Sequence, residues 1–305
     1  MSRAFHHGWL IAASFFLAGC SAVSGLAQLG MFTQEQRVEF TREWKGERFP
    51  DGRPKVPDAV LARLKNVTAE EAWAVLRGAG YNHQFEGGWK VINPGERLVG
   101  RVVTAVFMPL RPDVHAVIND YGKKEGRVGG GQNSWVIDTL QRNDVLVVDL
   151  FGKIQDGTFA GDNLGTSIFA KTGTGLIVDG SVRDVSGISE IKGFRCFVRG
   201  FDPSALAEVT LMGMNVPIRI GRVTVMPGDV VVSDPEGLTF IPAPLAAKVA
   251  DYSEMTQLQD KWGHQMLREG KYTPGQVDAQ WTKEMIEEFN RYAEQQGAKV
   301  RMKVE

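Results

Sequence analysis

Two carboxylates and one guanidinium in the middle of the chain belong to residue types that hold a metal ion and a small anion. Asp162 lies in the stretch Gly161–Leu164, and after twenty intervening residues the chain reads Arg183–Asp184. Hard cations such as Mg²⁺ prefer oxygen ligands, and a fixed guanidinium stabilises negative charge that develops on an oxygen. These residues predict a site for a divalent metal and a small anionic substrate.

The elements around these residues would bring them to one end of a sheet. The nearly continuous apolar runs 144–150 and 175–180 predict two strands that are covered on both faces. Between them, a helix is expected to begin with Asp162 as its N-cap and to end at Gly173. A strand–helix–strand crossover makes the two strands parallel, and ligands bind beyond the carboxyl ends of such strands.

The same arrangement suggests a way to hold a 2-keto acid. The unpaired N–H groups of Asn163 and Leu164 at the helix start would bind its carboxylate. Arg183 and a metal on Asp184 would face its keto oxygen. An alternative stays open at this point, because an Arg–Asp pair after a strand is often only a solvated ion pair, and an Asp before a helix often only a cap.

Further apolar runs bounded by turn residues predict a mixed α/β fold. Thr68 and Glu71 stand in capping-box spacing and predict a helix that ends near Gly78. The C-terminal region is expected to be helical, with aromatic packing anchors at Trp262, Trp281 and Phe289. The remaining predicted elements are strands at 99–108, 194–198, 216–220, 230–233 and 238–241, and helices at 114–123 and from about residue 244 onwards.

The N-terminal residues 1–27 resemble a signal peptide. Residues 9–17 form an apolar run that is too short for a comfortable transmembrane helix. Leu17–Cys20 looks like a bacterial lipobox, in which Cys20 would carry the lipid; alternatively, an ordinary signal peptidase would cut after Ala27. Both routes predict export, as a periplasmic protein, a membrane-tethered lipoprotein or a secreted protein.

The chain divides into further segments by composition. Residues 28–66 are polar and proline-containing, which favours an extended leader that wraps or links and contributes no core element. Residues 67–249 hold the predicted strands and the site, and 250–305 form a helical tail. Cys196 lies in an apolar run and is expected to pack as a small buried hydrophobe, not as a catalytic thiol.

The balance of charge argues against nucleic acid as a partner. Lys plus Arg number 35 and Asp plus Glu number 36, which gives a formal charge of -1. Nucleic-acid binding relies on clustered cationic residues, and the chain contains no Lys/Arg run. We expect a small-molecule partner, no nucleic acid, and membrane association only through a lipid on Cys20.

The central stretch resembles the RraA-like family, which includes regulators of ribonuclease activity and metal-dependent 4-hydroxy-4-methyl-2-oxoglutarate aldolases. Catalytic members of that family carry an Asp, twenty intervening residues and then Arg-Asp, as Asp162 and Arg183–Asp184 do here. The similarity covers roughly 67–249. The stretches that fit the family pattern are 99–104, 144–149, 178–185, 215–218 and 227–237.

The resemblance implies a swivelling β/β/α fold and a homotrimer or homohexamer with sites near subunit boundaries. It also implies that Gly161–Leu164 cradle a pyruvoyl carboxylate and that Arg183 contacts the keto oxygen. Asp184 would ligate Mg²⁺ or Mn²⁺, and Asp162 would orient the metal's waters. An acidic residue of a neighbouring chain often completes the family's site. The aldolases commonly carry Leu where Asn163 stands, so substrate preference is expected to differ.

Three other interpretations compete with a metal-dependent lyase. Lys171 could form a Schiff base, although its place in the last turn of a helix already explains a cation there. The protein could be a non-catalytic, protein-binding regulator, or an exported binder of some other metabolite. His83, His115 and His264 are widely scattered and favour packing or surface roles over zinc ligation.

Overall fold

The computed structural model describes residues 32–95, 97–127, 129–298 and 301–303. The predicted signal peptide, including Cys20 and both cleavage sites, lies outside the described residues. No helix in these four ranges is both long and apolar enough to cross a lipid bilayer.

The described chain alternates strands and helices as an α/β protein. The strands are β1 (Phe85–Glu86), β2 (Lys90–Ile92), β3 (Val99–Pro109), β4 (Asp144–Thr158), β5 (Gly175–Val182), β6 (Arg195–Phe201), β7 (Val209–Met214), β8 (Ile218–Ile220), β9 (Val223–Val225), β10 (Val230–Ser233) and β11 (Leu238–Ile241). The helices are α1 (Gln34–Phe40), α2 (Asp58–Leu64), α3 (Ala69–Gly78), α4 (Pro112–Lys124), α5 (Gln132–Ile137), α6 (Asp162–Thr172), α7 (Val185–Glu190), α8 (Ala246–Arg268), α9 (Pro274–Val277) and α10 (Lys283–Gln295), with a 3₁₀ turn at Ala243–Leu245.

One large mixed sheet organises these elements. Its order is β1-β11-β10-β3-β4-β5-β6-β2, with β7 paired to β3. The four central strands β3, β4, β5 and β6 run parallel, which confirms the parallel pairing predicted for β4 and β5. Antiparallel strands flank this centre on both sides, and β8 and β9 form a separate hairpin.

Both faces of the central strands are covered, which explains their unbroken apolar sequences. On β4, Leu146 and Val148 pack with α4, α5, α6 and α7 on one face. The alternate residues Val145 and Val147 pack on the other face against the β8–β9 hairpin. Successive side chains of a strand point to opposite faces, so a strand buried on both sides must be apolar at every position.

The predicted leader differs from its expected extended form. It contains α1 and α2, and Val56, Leu61 and Leu64 join a buried cluster with residues of α3 and α8. The expectation that this segment contributes no core element is therefore wrong. Thr33 and Gln36 form a capping box at the start of α1. This motif is present in the sequence, but the prediction for the leader relied on composition and did not use it.

The tail is helical, as predicted, and has a small core of its own. Trp262 packs against Trp281 with ring centroids 4.6 Å apart, and both rings contact Phe289. Upstream in α8, Val249 and Ala250 pack instead into the cluster with α2 and α3. One long helix thus connects the tail's aromatic core to the edge of the main sheet.

Candidate functional site

The end of β5 and the start of α6 meet through backbone hydrogen bonds. Phe159 N–H donates to the Ser181 carbonyl over 2.9 Å, and Arg183 N–H donates to the Ala160 carbonyl over 3.1 Å. This pairing continues the β4–β5 ladder past the carboxyl ends of the strands. It places Gly161 beside the residues that follow β5, as the parallel crossover predicts.

Arg183 and Asp184 form an ion pair that is open to solvent. Arg183 Nε lies 3.3 Å from Asp184 Oδ2, and the two side chains are 43% and 48% exposed. An exposed pair of this kind contributes little to stability. Both groups therefore remain available to an incoming ligand.

Asp184 adopts a left-handed backbone conformation, with φ 53°. This conformation is uncommon for residues other than glycine, although Asp and Asn tolerate it best. Asp184 also begins α7, since Ile188 N–H donates to its carbonyl over 2.9 Å. Neither α7 nor this turn was predicted from the sequence. The turn directs the Asp184 carboxylate toward Gly161.

Two glycines allow the carboxylates to approach the backbone closely. A Cβ atom at Gly161 would lie 2.3 Å from Asp184 Oδ2 and 3.2 Å from Arg183 Nε. A Cβ atom at Gly187 would lie 2.8 Å from Asp162 Oδ2. The site thus includes Gly187, which sequence reasoning missed because nothing in the local pattern of α7 connects it to Asp162.

The helix start differs from the prediction in two respects. Gly161, not Asp162, is the N-cap of α6, and Asp162 occupies the first helical position. Asp162 Oδ1 accepts from Asn163 N–H over 2.7 Å, so that N–H group is already used. Leu164 N–H lies in the first turn, where helix geometry provides no intrahelical acceptor, and it remains a donor for an anion. Gly173 ends α6 in the left-handed conformation, as predicted.

A cavity of about 240 Å³ joins these groups. All six predicted site residues, Gly161–Leu164 and Arg183–Asp184, line it. Its other walls include Asn133, whose Nδ2 donates to the Phe159 carbonyl over 2.7 Å. Asn133 comes shortly after three consecutive glycines and belongs to no motif that connects it to Asp162, so this wall was not predicted. A larger cavity, about 560 Å³, lies in the tail beside Trp281 and shares none of these residues.

The donor set suits a hard divalent cation. Asp162 and Asp184 supply carboxylate oxygens. Because Gly161 has no Cβ, the space beside Asp184 stays free. Mg²⁺ is commonly held by one or two carboxylates while it keeps several waters. No group of three or more His, Cys, Asp or Glu side chains suited to a metal occurs in the described ranges. A metal ion bound by these residues would therefore take its remaining ligands from water or from another molecule.

The competing nucleophiles lie away from the cavity. Cys196 is fully buried, and burial raises the pKa of its thiol to about 12, which keeps it protonated. This confirms that Cys196 packs as a buried residue. Lys171 lies in the last turn of α6, at the opposite end of the helix from Asp162.

Comparison with known sequences identifies related proteins. The family model described as RraA-like, Aldolase/RraA, matches residues 56–240. A putative 4-hydroxy-4-methyl-2-oxoglutarate aldolase of Halalkalibacterium halodurans is 31% identical over 140 residues, which cover 44% of this chain and 65% of that protein. The 4-hydroxy-4-methyl-2-oxoglutarate aldolase of Thermus thermophilus is 28% identical, over 36% of this chain and 65% of that protein. The chain thus spans slightly less than two thirds of these two relatives.

Comparison with solved structures gives the same fold. An uncharacterised protein of Pseudomonas syringae pv. tomato superposes with a TM-score of 0.61 at 22% identity, covering 76% of this chain and 98% of that one. Streptomyces coelicolor RraAS2, described as an unusual member of the RNase ES inhibitor RraA protein family, superposes with a TM-score of 0.57 at 25% identity. It covers 70% of this chain and 99% of its own. The predicted fold, with its helical C-terminal tail, is confirmed.

Proposed function

The chain belongs to the RraA-like family, and from this premise we propose that it is a divalent-metal-dependent lyase acting on a 2-keto acid. It would cleave a carbon–carbon bond and release pyruvate, as an aldolase of the 4-hydroxy-4-methyl-2-oxoglutarate type, as an oxaloacetate decarboxylase, or as both. The observation that carries the proposal is the convergence of Asp162, Arg183 and Asp184 on one open cavity. The similarity to two proteins named as 4-hydroxy-4-methyl-2-oxoglutarate aldolases, one of them putative, supports the proposal.

Each side chain has a chemical role in this proposal. The Leu164 N–H and the positive end of α6 bind the substrate carboxylate. Asp184 would hold Mg²⁺ or Mn²⁺, and Asp162 would orient waters beside it. When bound, the metal supplies Lewis-acid polarisation of the keto oxygen. Arg183 places a fixed positive charge beside that oxygen, where negative charge develops as the bond breaks.

The assembly proposal follows from the same donor set. We propose a homotrimer or homohexamer in which an acidic residue of a neighbouring subunit completes the metal's surroundings. Only two carboxylates of the described residues, Asp162 and Asp184, line the cavity. A third acidic group from a second copy would complete a coordination shell that waters otherwise fill.

The test is an assay of pyruvate release from oxaloacetate and from 4-hydroxy-4-methyl-2-oxoglutarate with Mg²⁺ or Mn²⁺. Arg183→Ala should lower kcat about 10²- to 10³-fold, the loss typical of removing one preorganised group that stabilises developing charge. Arg42→Ala, which removes an exposed guanidinium of the leader, is the matched control and should leave kcat unchanged. A chelator should abolish turnover, and added metal should restore it.

Two results would contradict the lyase. One is the absence of turnover of every 2-keto acid tested, and the other is full activity of Arg183→Ala. A non-catalytic, protein-binding regulator is the second candidate, favoured by the structural similarity to RraAS2. Stable capture of a ribonuclease by the purified protein, with no turnover, would support that candidate instead.

A further inference from the structure

A second cavity adjoins the candidate site. Its volume is about 340 Å³, and it shares Gly131, Asn133 and Leu206 with the site cavity as common walls. The side-chain amide of Asn133 is fixed by its bond to the Phe159 carbonyl and stands at the boundary between the two spaces. A substrate longer than pyruvate, held by its carboxylate at α6, would extend into this second cavity.

Neutral hydrogen-bonding side chains line the second cavity and are held in place by the protein. Gln132 Nε2 donates to Asn119 Oδ1 over 2.9 Å, and Gln132 Oε1 accepts from Leu211 N–H over 2.7 Å. His115 Nδ1 lies 2.9 Å from Thr210 Oγ1. Asn119 and His115 both line the cavity, and these bonds do not use Asn119 Nδ2 or His115 Nε2, so the wall is preorganised for polar recognition.

The charge of this cavity disfavours a second carboxylate. None of its described lining residues is Lys or Arg, whereas Glu208 contributes an exposed carboxylate. Two like charges repel each other when no cation compensates them, and the exposure of Glu208 to solvent weakens this repulsion without removing it. Hydroxyl groups, in contrast, can donate to Glu208 and accept from Asn119.

We propose that this cavity is the subsite for the distal half of the substrate and that it selects a neutral, hydroxylated chain over a carboxylate. The inference rests on the proposed lyase function and narrows its substrate class: 4-hydroxy-2-keto acids that carry further hydroxyl groups beyond C4 are better substrates than dicarboxylates such as 4-hydroxy-4-methyl-2-oxoglutarate. In cleavage, the C4 hydroxyl transfers its proton to water and its oxygen becomes an aldehyde carbonyl. The C3–C4 bond breaks, its electron pair passes to the pyruvate enolate, and C3 then takes up a proton.

The experiment uses the reverse, condensing direction with two small aldehydes of the same carbon number. Pyruvate and metal are combined with glycolaldehyde, which is neutral and hydroxylated, or with glyoxylate, which carries a carboxylate. We expect kcat/KM for glycolaldehyde to exceed that for glyoxylate by about tenfold or more, the size of one uncompensated charge contact. Glu208→Lys should reverse this preference, and Glu39→Lys, an exposed charge change on α1, should not alter it.

A second readout separates this inference from the proposed function. Exchange of pyruvate methyl protons in D₂O, followed by NMR, requires the metal, Arg183 and the enolate but no aldehyde. Exchange by the wild-type protein together with a preference for glyoxylate, or with an unchanged ratio in Glu208→Lys, overturns the subsite and leaves the lyase intact. No exchange with any divalent metal overturns both.

Discussion

Gly161 sets how closely the Asp184 carboxylate approaches the start of α6. The Gly161 backbone is extended, with φ -111°, so a side chain would be allowed there on conformational grounds. The space is the obstacle, because a Cβ would lie 2.3 Å from Asp184 Oδ2. At this position the requirement for glycine comes from the site and not from the fold.

Gly161→Ala should therefore impair activity more than stability. We expect kcat/KM for pyruvate release to fall about 10²-fold, since displacing a reacting group by about 1 Å has that effect. The free energy of unfolding should fall by about 1–3 kcal/mol at most, because the displaced carboxylate is exposed. Gly78→Ala is the matched control, because a Cβ there meets nothing within 4 Å.

Kinetics and urea unfolding of both variants would check this prediction. Wild-type activity in Gly161→Ala would mean that Asp184 need not approach the helix start. The proposed metal position would then be wrong, even if the protein proved to be a lyase.

Among the elements, the leader is tied to the sheet by a buried cation. Arg53 is 1% exposed; its Nε lies 2.7 Å from Asp51 Oδ2 and its Nη1 lies 3.2 Å from Asp144 Oδ1. Burial raises the pKa of Asp144, which begins β4, and the charge of Arg53 opposes that rise. Arg37 adds bonds from α1 to the Asp51 and Asn215 carbonyls. The leader therefore acts as part of the folded unit.

Arg53→Met should destabilise the protein by about 3–5 kcal/mol, because it leaves the Asp144 carboxylate buried without its counter-ion. The double variant Arg53→Met with Asp144→Asn should regain part of that loss, since the remaining group is neutral. Arg42→Met, on an exposed arginine, should change the free energy of unfolding by less than about 0.5 kcal/mol.

Urea unfolding of the three variants measures these differences at constant pH. Equal stability of the single and double variants would indicate that the lost packing of Arg53, not the charge of Asp144, explains the destabilisation. Wild-type stability in Arg53→Met would contradict the idea that the leader is fixed by this ion pair.

At the scale of the whole molecule, we propose export with a lipid on Cys20. Residues 1–27 have the length and apolar character of a signal peptide, and Leu17–Cys20 has the spacing of a lipobox. Two membrane signals or a diacylated cysteine hold a protein firmly at a bilayer, whereas one acyl chain binds only marginally. The proposed lipid would keep the folded domain at the membrane surface.

Expression of the full chain in bacteria tests this proposal. Cys20→Ser should abolish labelling by radioactive palmitate and move the protein from the membrane fraction to the soluble fraction. Cys196→Ser is the matched control, because that cysteine is buried in β6 and should not change labelling. Labelling that persists in Cys20→Ser would mean that the lipid is attached to another residue, whereas wild-type protein that is soluble and unlabelled would favour cleavage after Ala27.

Much of the sheet could be predicted from local sequence. The β4 and β5 runs are apolar at successive positions because both faces are covered, and that pattern is visible without coordinates. The bounds of β10 and β11 agree with the predicted strands, as do the capping box before α3 and the glycine end of α6. These features depend on residues within one element, so the sequence determines them directly.

Contacts between distant elements were decided only by the tertiary structure. The left-handed turn at Asp184, the closeness of Gly187 to Asp162, and the wall formed by Asn133 each join segments that are separate along the chain. The burial of Leu64 against α8 has the same origin. The periodic pattern of apolar residues within one element does not indicate which other elements become its neighbours in the fold. The amino-acid sequence alone thus determined the family and the central strands, and it singled out three charged candidate residues. The order of strands in the sheet decided which backbone and side chains surround them.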